Sequence, residues 1–178
     1  MAIFDASTPN IRIFGVGGRL WKRNISKGAC VGPSFQGDDD SVDARAWGRT
    51  GPCLYLVKAS DSMIRYVGIS RSGLHHRWRS SPAYDADTIV RLPKNQLFHS
   101  QCGRHVEEDS DREPGIAFEV RRIPADALVS IVEWIRAPLS AFSVLRDDGE
   151  SVVASVERWL CNHSSDHLVA WNKAMTRR

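Results

Sequence analysis

The chain has 178 residues, 42% of them hydrophobic and 25% charged, with a formal net charge of +3. That size fits one domain with a substantial core, and no apolar run approaches the roughly 18 residues that a membrane-spanning helix requires. The N-terminal stretch lacks the apolar centre of a signal peptide, so a cytoplasmic location is the expectation. The four cysteines, Cys30, Cys53, Cys102 and Cys161, form no CxxC pair, which favours reduced thiols over a disulfide framework. The small net charge conceals a segregation. Arg65, Arg71, Arg77 and Arg79 gather in the middle, Arg12, Arg19, Lys22, Arg23 and Lys27 lie upstream, and acids collect at 38–40 and 107–113. A basic face on a near-neutral protein suits phosphate binding; solvated surface charge is the plain alternative.

In chain order, residues 1–51 read as an accessory segment. Residues 11–14 suit a strand, which Gly15, Gly17 and Gly18 then break as a turn. The glycine run lacks the GxGxxG spacing of a nucleotide loop, and no helical pattern follows it. Glycine, proline, serine and three successive aspartates make 28–49 an irregular loop. Two apolar runs at 53–57 and 66–69 flank a turn cluster of Ser60, Asp61 and Ser62, which predicts a β-hairpin. A basic amphipathic helix is expected over 74–80, stopped by Pro82. Beyond it, a short helix is expected within 92–105 and a charged loop over 107–115. Alternation at 116–123 predicts a third strand. A helix then begins at Pro124, with Ala127, Leu128, Ile131, Val132 and Ile135 as its apolar stripe. Ser151 is a capping residue for another helix, which turns Val152, Val153, Val156, Trp159 and Leu160 inward. A last helix is expected over 167–175. Together these elements predict an α+β fold: a small antiparallel three-stranded sheet flanked by helices over 52–178, with an N-terminal extension and an insertion.

Cys53, Leu54 and Tyr55, then Tyr66, Val67 and Gly68, then Arg77 nine residues after that glycine, resemble the GIY-YIG nuclease family. Cys53 stands where the family has glycine, Leu54 where it has isoleucine, and Val67 replaces a second isoleucine. A late match extends the likeness: Glu157 lies on a helix, with Trp171 and Asn172 near the end of the chain. The resemblance implies a divalent-metal-dependent DNA endonuclease, with Mg2+ or Mn2+ as cofactor and Glu157 as its ligand. Tyr55 or Tyr66 would position or deprotonate the attacking water, with Tyr55 leading. Arg77 would bind the scissile phosphate, and Gly68 would let backbone approach it. Arg65, Arg71, His76, Arg79 and Asn172 are the candidate nucleic-acid contacts. Ser81 stands where the family often carries histidine or tyrosine, which leaves the general base open.

The chain has no room for a separate DNA-binding module, as in the restriction-enzyme members of the family, and a homodimer on duplex DNA is the expected assembly. A repair or mobile-element nuclease, and an inactive nucleic-acid-binding module, are the alternatives. Glu133 is a rival metal ligand, also on an amphipathic segment but without an asparagine at suitable distance. His99, Cys102 and His105 form a competing cluster. A zinc site needs four ligands, or three plus water, and spacings of three and six spread these residues around a helix axis.

Overall fold

The computed structural model describes residues 8–22, 31–37, 50–80, 84–85, 87–91, 96–99, 101–128, 149–163 and 170–172. The elements in order are β1 (Thr8–Lys22), β2 (Val31–Gly37), β3 (Cys53–Ala59), β4 (Ile64–Ser70), a 3-10 turn at Leu74–His76, β5 (Arg79–Ser80), β6 (Tyr84–Asp85) and β7 (Gln96–Phe98). Helix α1 (Gly103–Arg112), β8 (Ala117–Pro124), a second 3-10 turn at Ala125–Ala127 and helix α2 (Gly149–His163) follow. The fold is α+β. Its centre is the antiparallel three-stranded unit β4-β3-β8, and pairing continues through β1, β2, β7 and β5, with β6 on β1.

Strand β3 is the axis of this arrangement. Its continuous apolar run is buried on both faces, as a central strand requires: Leu54 and Leu56 enter one cluster, Tyr55, Val57 and Ala59 the other. Helix α2 covers the first face, where Val152, Val153, Val156 and Leu160 meet Leu54, Leu56, Val67 and Ile123. The second face carries the phenols. The β3–β4 turn is closed by the Ser62 amide donating to the Ala59 carbonyl and by the Met63 amide donating to Asp61 Oδ1, both at 2.9 Å. Ser62 takes a left-handed conformation, φ 72°, which a short polar side chain tolerates better than a branched one.

Four local expectations are corrected. The glycines at 15–18 do not end the first strand; β1 runs through them, with a register shift between Val16 and Leu20 against β2. Glycine inside a strand commonly marks such a bulge. The expected loop over 28–49 contains β2, paired with β1 and β7, so residues from the N-terminal segment belong to the same sheet as the hairpin. The expected charged loop over 107–115 is helical as far as Arg112, in α1. Salt bridges link Arg104 to Glu108 and Arg112 to Asp109 along that helix, at spacings that support helices without an apolar stripe. Finally, the helix expected over 74–80 is one 3-10 turn, after which Arg79 pairs with Phe98 as strand. The helix stripe from Ile131 onward, Glu133, and the ends of the last predicted helix lie outside the described residues.

Candidate active site

The hairpin register builds the site. Tyr55 pairs with Gly68, and Val57 with Tyr66, so both phenols project from the same face of adjacent strands. Their ring centroids are 5.8 Å apart. Gly68 lies directly beneath them: a Cβ there would stand 2.5 Å from Tyr55 Cζ and from Tyr66 Cε1. Glycine is required at this position by the close approach of two rings, and its freedom to take unusual φ plays no part.

Tyr55 and Tyr66 are 1% and 5% exposed, and their hydroxyls have different partners. Tyr55 Oη is 2.8 Å from His99 Nε2. His99 Nδ1 accepts the Cys102 backbone N–H at 3.0 Å, so the single proton of the neutral ring sits on Nε2 and is donated to Tyr55. The histidine is 3% exposed and lies against Trp78, centroids 4.4 Å apart. Burial, assisted by the nearby Arg77 charge, lowers its pKa to about 3. Tyr66, by contrast, donates to the Oε1 of exposed Gln101 at 3.2 Å. Burial raises the pKa of both phenols, more so than the Arg77 charge lowers it, so both are protonated at neutral pH.

Arg77 and Glu157 reach this cluster from outside the hairpin. The Arg77 side chain is exposed, and its Nε donates to the Ile69 carbonyl at 3.2 Å. Its charge is felt at Tyr55, Tyr66, His99, Cys102 and Glu157. Glu157 follows buried Val156 on α2 and is half-buried at the flank of that helix's apolar stripe. Desolvation raises its carboxyl pKa, against the lowering by Arg77 and Arg158. The Glu157 charge in turn raises Tyr66. Tyr55, Tyr66, Arg77 and Glu157, spread over about a hundred residues of sequence, therefore form one electrostatic unit.

The five candidate nucleic-acid contacts fare differently. Arg65 is bound to Asp61 and, through Nε at 3.1 Å, to Asp109. The same Asp109 oxygen accepts the Trp171 indole N–H at 3.1 Å, so Arg65 serves internal structure. Asn172 does so as well. Its Oδ1 accepts the Val67 N–H at 2.9 Å and its Nδ2 donates to the Val67 carbonyl at 2.7 Å. Because β4 is the edge of the sheet, this side-chain amide satisfies a backbone pair that no strand covers. Asn172→Ala is expected to cost about 1–3 kcal/mol in chemical denaturation and to speed hydrogen exchange at the Val67 amide; an unchanged exchange rate would contradict the bracing role. Arg71 and His76 are exposed, and His76 lies against the His75 ring at 3.9 Å between centroids. Arg79 is placed by its β5 backbone.

The alternative zinc cluster does not assemble. His99 bonds Tyr55, whereas His105 stacks on Trp171 at 5.7 Å and bonds Glu108. Among the described residues, no group of three or more His, Cys, Asp or Glu is gathered to hold a metal ion. Two residues near the phenols had no assigned role in the sequence reading: Gln101, and Arg122, which pairs across the sheet with Tyr55. Neither belongs to a motif, and their positions follow from tertiary packing alone. Compared with known proteins, the chain matches no family model, no curated protein and no solved structure.

Proposed function

We propose that this chain is a divalent-metal-dependent endonuclease of GIY-YIG type that hydrolyses phosphodiester bonds in DNA. The observation that supports the reading is the convergence of Tyr66, Arg77 and Glu157: the Arg77 charge is felt at both Tyr66 and Glu157, and the Glu157 charge at Tyr66, although the three come from β4, the turn after it and α2. Phosphodiester hydrolysis needs a held water, neutralisation of the phosphoryl oxygens, and help for the leaving oxygen. The Arg77 guanidinium supplies paired donors and fixed positive charge for the scissile phosphate. A neutral phenol at Tyr66 can accept a hydrogen bond from the attacking water and orient it. His99 keeps Tyr55 in place beside it.

Magnesium commonly takes only one or two carboxylates from the protein and fills its remaining positions with water and substrate phosphate. Glu157 fits that requirement. It is a half-buried carboxylate whose neighbouring charges are cationic, and desolvation leaves it short of stabilisation. A bound Mg2+ or Mn2+ would supply charge neutralisation at the phosphoryl and leaving oxygens. In a restriction-type role, two subunits related by a two-fold axis would each cut one strand of a palindromic site.

The test is supercoiled plasmid DNA incubated with the chain and Mg2+, with Glu157→Ala beside wild type. Wild type should cut, and the variant should lose cleavage by at least about a hundredfold while binding duplex with near-native affinity, because a metal ligand is needed more for chemistry than for docking. Binding without cleavage by wild type in Mg2+ and Mn2+ alike would instead favour a non-catalytic nucleic-acid-binding module.

A further inference from the structure

Arg122 is the most deeply buried charge among the described residues, 4% exposed. It stands in β8 directly across from Tyr55, in a row with Gly68 on the far side of the tyrosine. Beside it lies the thiol of Cys53, the first residue of β3, whose pKa the Arg122 charge lowers against the larger effect of burial. A thiol is a weak acceptor and no substitute for a carboxylate. The Arg122 Nε–H has no hydrogen-bond partner among the described residues. A desolvated guanidinium without an anion is a costly arrangement, and fixed paired donors are the usual protein device for holding phosphate.

The surroundings leave space for such an anion. Arg122 lines a cavity of about 500 Å³ with Gly51, Pro52, Pro124, Ala125 and Asp126, where β3 begins and β8 ends. Gly51 takes φ +100° there and faces open space, with nothing within 4 Å of where a Cβ would lie. Asp126 is the one carboxylate among the described residues of the lining. It is exposed, and its Oδ1 already accepts the Ala127 N–H at 3.1 Å. The cavity is at the end of the sheet where Cys53 pairs with Ser70, the strand end from which the chain turns toward Arg77. Neighbouring strands lie about 4.8 Å apart, so Arg122 is one strand-width from Tyr55.

We propose that Arg122 and this cavity form a second phosphate site, which holds a phosphate of the bound strand beside the scissile one. The anion site follows from the burial and the cavity; its assignment to a nucleic-acid strand rests on the endonuclease reading. A phosphate held there would fix the register of the strand over Tyr55 and Tyr66 without reading bases.

Thermal melting of the wild-type chain, Arg122→Met and Arg77→Ala, each with inorganic phosphate or chloride at matched ionic strength, tests the site. Phosphate should raise the melting temperature of wild type more than that of Arg122→Met, and Arg77→Ala should keep the part of the response that Arg122→Met loses. An equal response in Arg122→Met overturns the site. Duplex binding measured across salt concentrations tests the strand. The slope of log K against log salt should be smaller by about 0.9 in Arg122→Met, one phosphate contact fewer, and an unchanged slope overturns the strand assignment. Should Arg122→Met fail to fold, the wild-type Arg122 Nε–H resonance, assigned by comparison with Arg122→Lys, should move on addition of phosphate; an unmoved resonance overturns the site. Failure of the endonuclease reading shows separately, as phosphate-dependent melting in a chain that cuts nothing.

Discussion

Tyr66→Phe is expected to slow cleavage by about 10²–10⁴-fold and to leave stability close to wild type, whereas Tyr55→Phe is expected to lose stability as well. The split follows from the partners of the two hydroxyls. Tyr66 donates to the amide of exposed Gln101, which water can satisfy once the hydroxyl is gone. The Tyr55 hydroxyl and the Cys102 thiol also lie beside it, and the Glu157 and Arg77 charges reach it, so what the substitution removes is a polar group next to the proposed metal and phosphate positions. Tyr55 Oη instead receives the Nε2–H of a histidine that is 3% exposed. Phenylalanine there would strand a buried donor, at a cost of about 1–3 kcal/mol. Urea denaturation and single-turnover cleavage on the two variants separate the effects. Wild-type turnover in Tyr66→Phe would remove that hydroxyl from the chemistry, and wild-type stability in Tyr55→Phe would contradict the His99 hydrogen bond.

That difference between the tyrosines had no counterpart in the sequence. The hairpin was legible because alternating and continuous apolar runs around Ser60, Asp61 and Ser62 have few other solutions. The strand at Ala117–Pro124 and the inward stripe of α2 were legible for the same reason. These elements carry Tyr55, Tyr66 and Glu157, so the outline of the candidate site could be read from pattern. Partners were another matter. His99 sits next to Phe98 at the end of a three-residue strand, and nothing local distinguishes a histidine that holds a tyrosine from one that holds a metal. Asn172 and Val67 are 105 residues apart, and the contact exists only because Trp171 seats its turn against Phe118, 5.4 Å between centroids.

The charged part of helix α1 and the continuation of strand β1 through its glycines were missed for a related reason. In α1 only His105 and Val106 are buried, too few to set up a 3.6-residue periodicity, and its charges read equally well as loop. In β1 the glycines that signal a turn in isolation are accommodated by the register shift against β2. Hydrogen bonding to neighbours on both sides, β2 and β8, outweighs the local preference of a glycine run.

Acid should destabilise the fold through His99, and the sign can be derived from its environment. Free histidine titrates near 6.5, and in the fold the pKa is about 3. Between those values the unfolded chain binds a proton that the folded chain does not. Stability therefore rises with pH across that window, is fully present above about 6.5, and is lost as the pH falls toward 3. Each pH unit in the window is worth on the order of 1 kcal/mol, enough to matter against ordinary domain stability. The groups facing the ring do not cancel this. Burial raises Tyr55, Tyr66 and Cys102 further above their usual values, which keeps them protonated throughout, and the Arg77 charge opposes a second cation. Protonation would also turn Nδ1 from an acceptor into a donor aimed at the Cys102 N–H, breaking the contact that orients the ring toward Tyr55. His99→Gln keeps a polar side chain without a titration in this range. Its unfolding free energy, measured in urea from pH 7 to pH 4, should fall less steeply than that of wild type; parallel curves would show that His99 is not the group responsible.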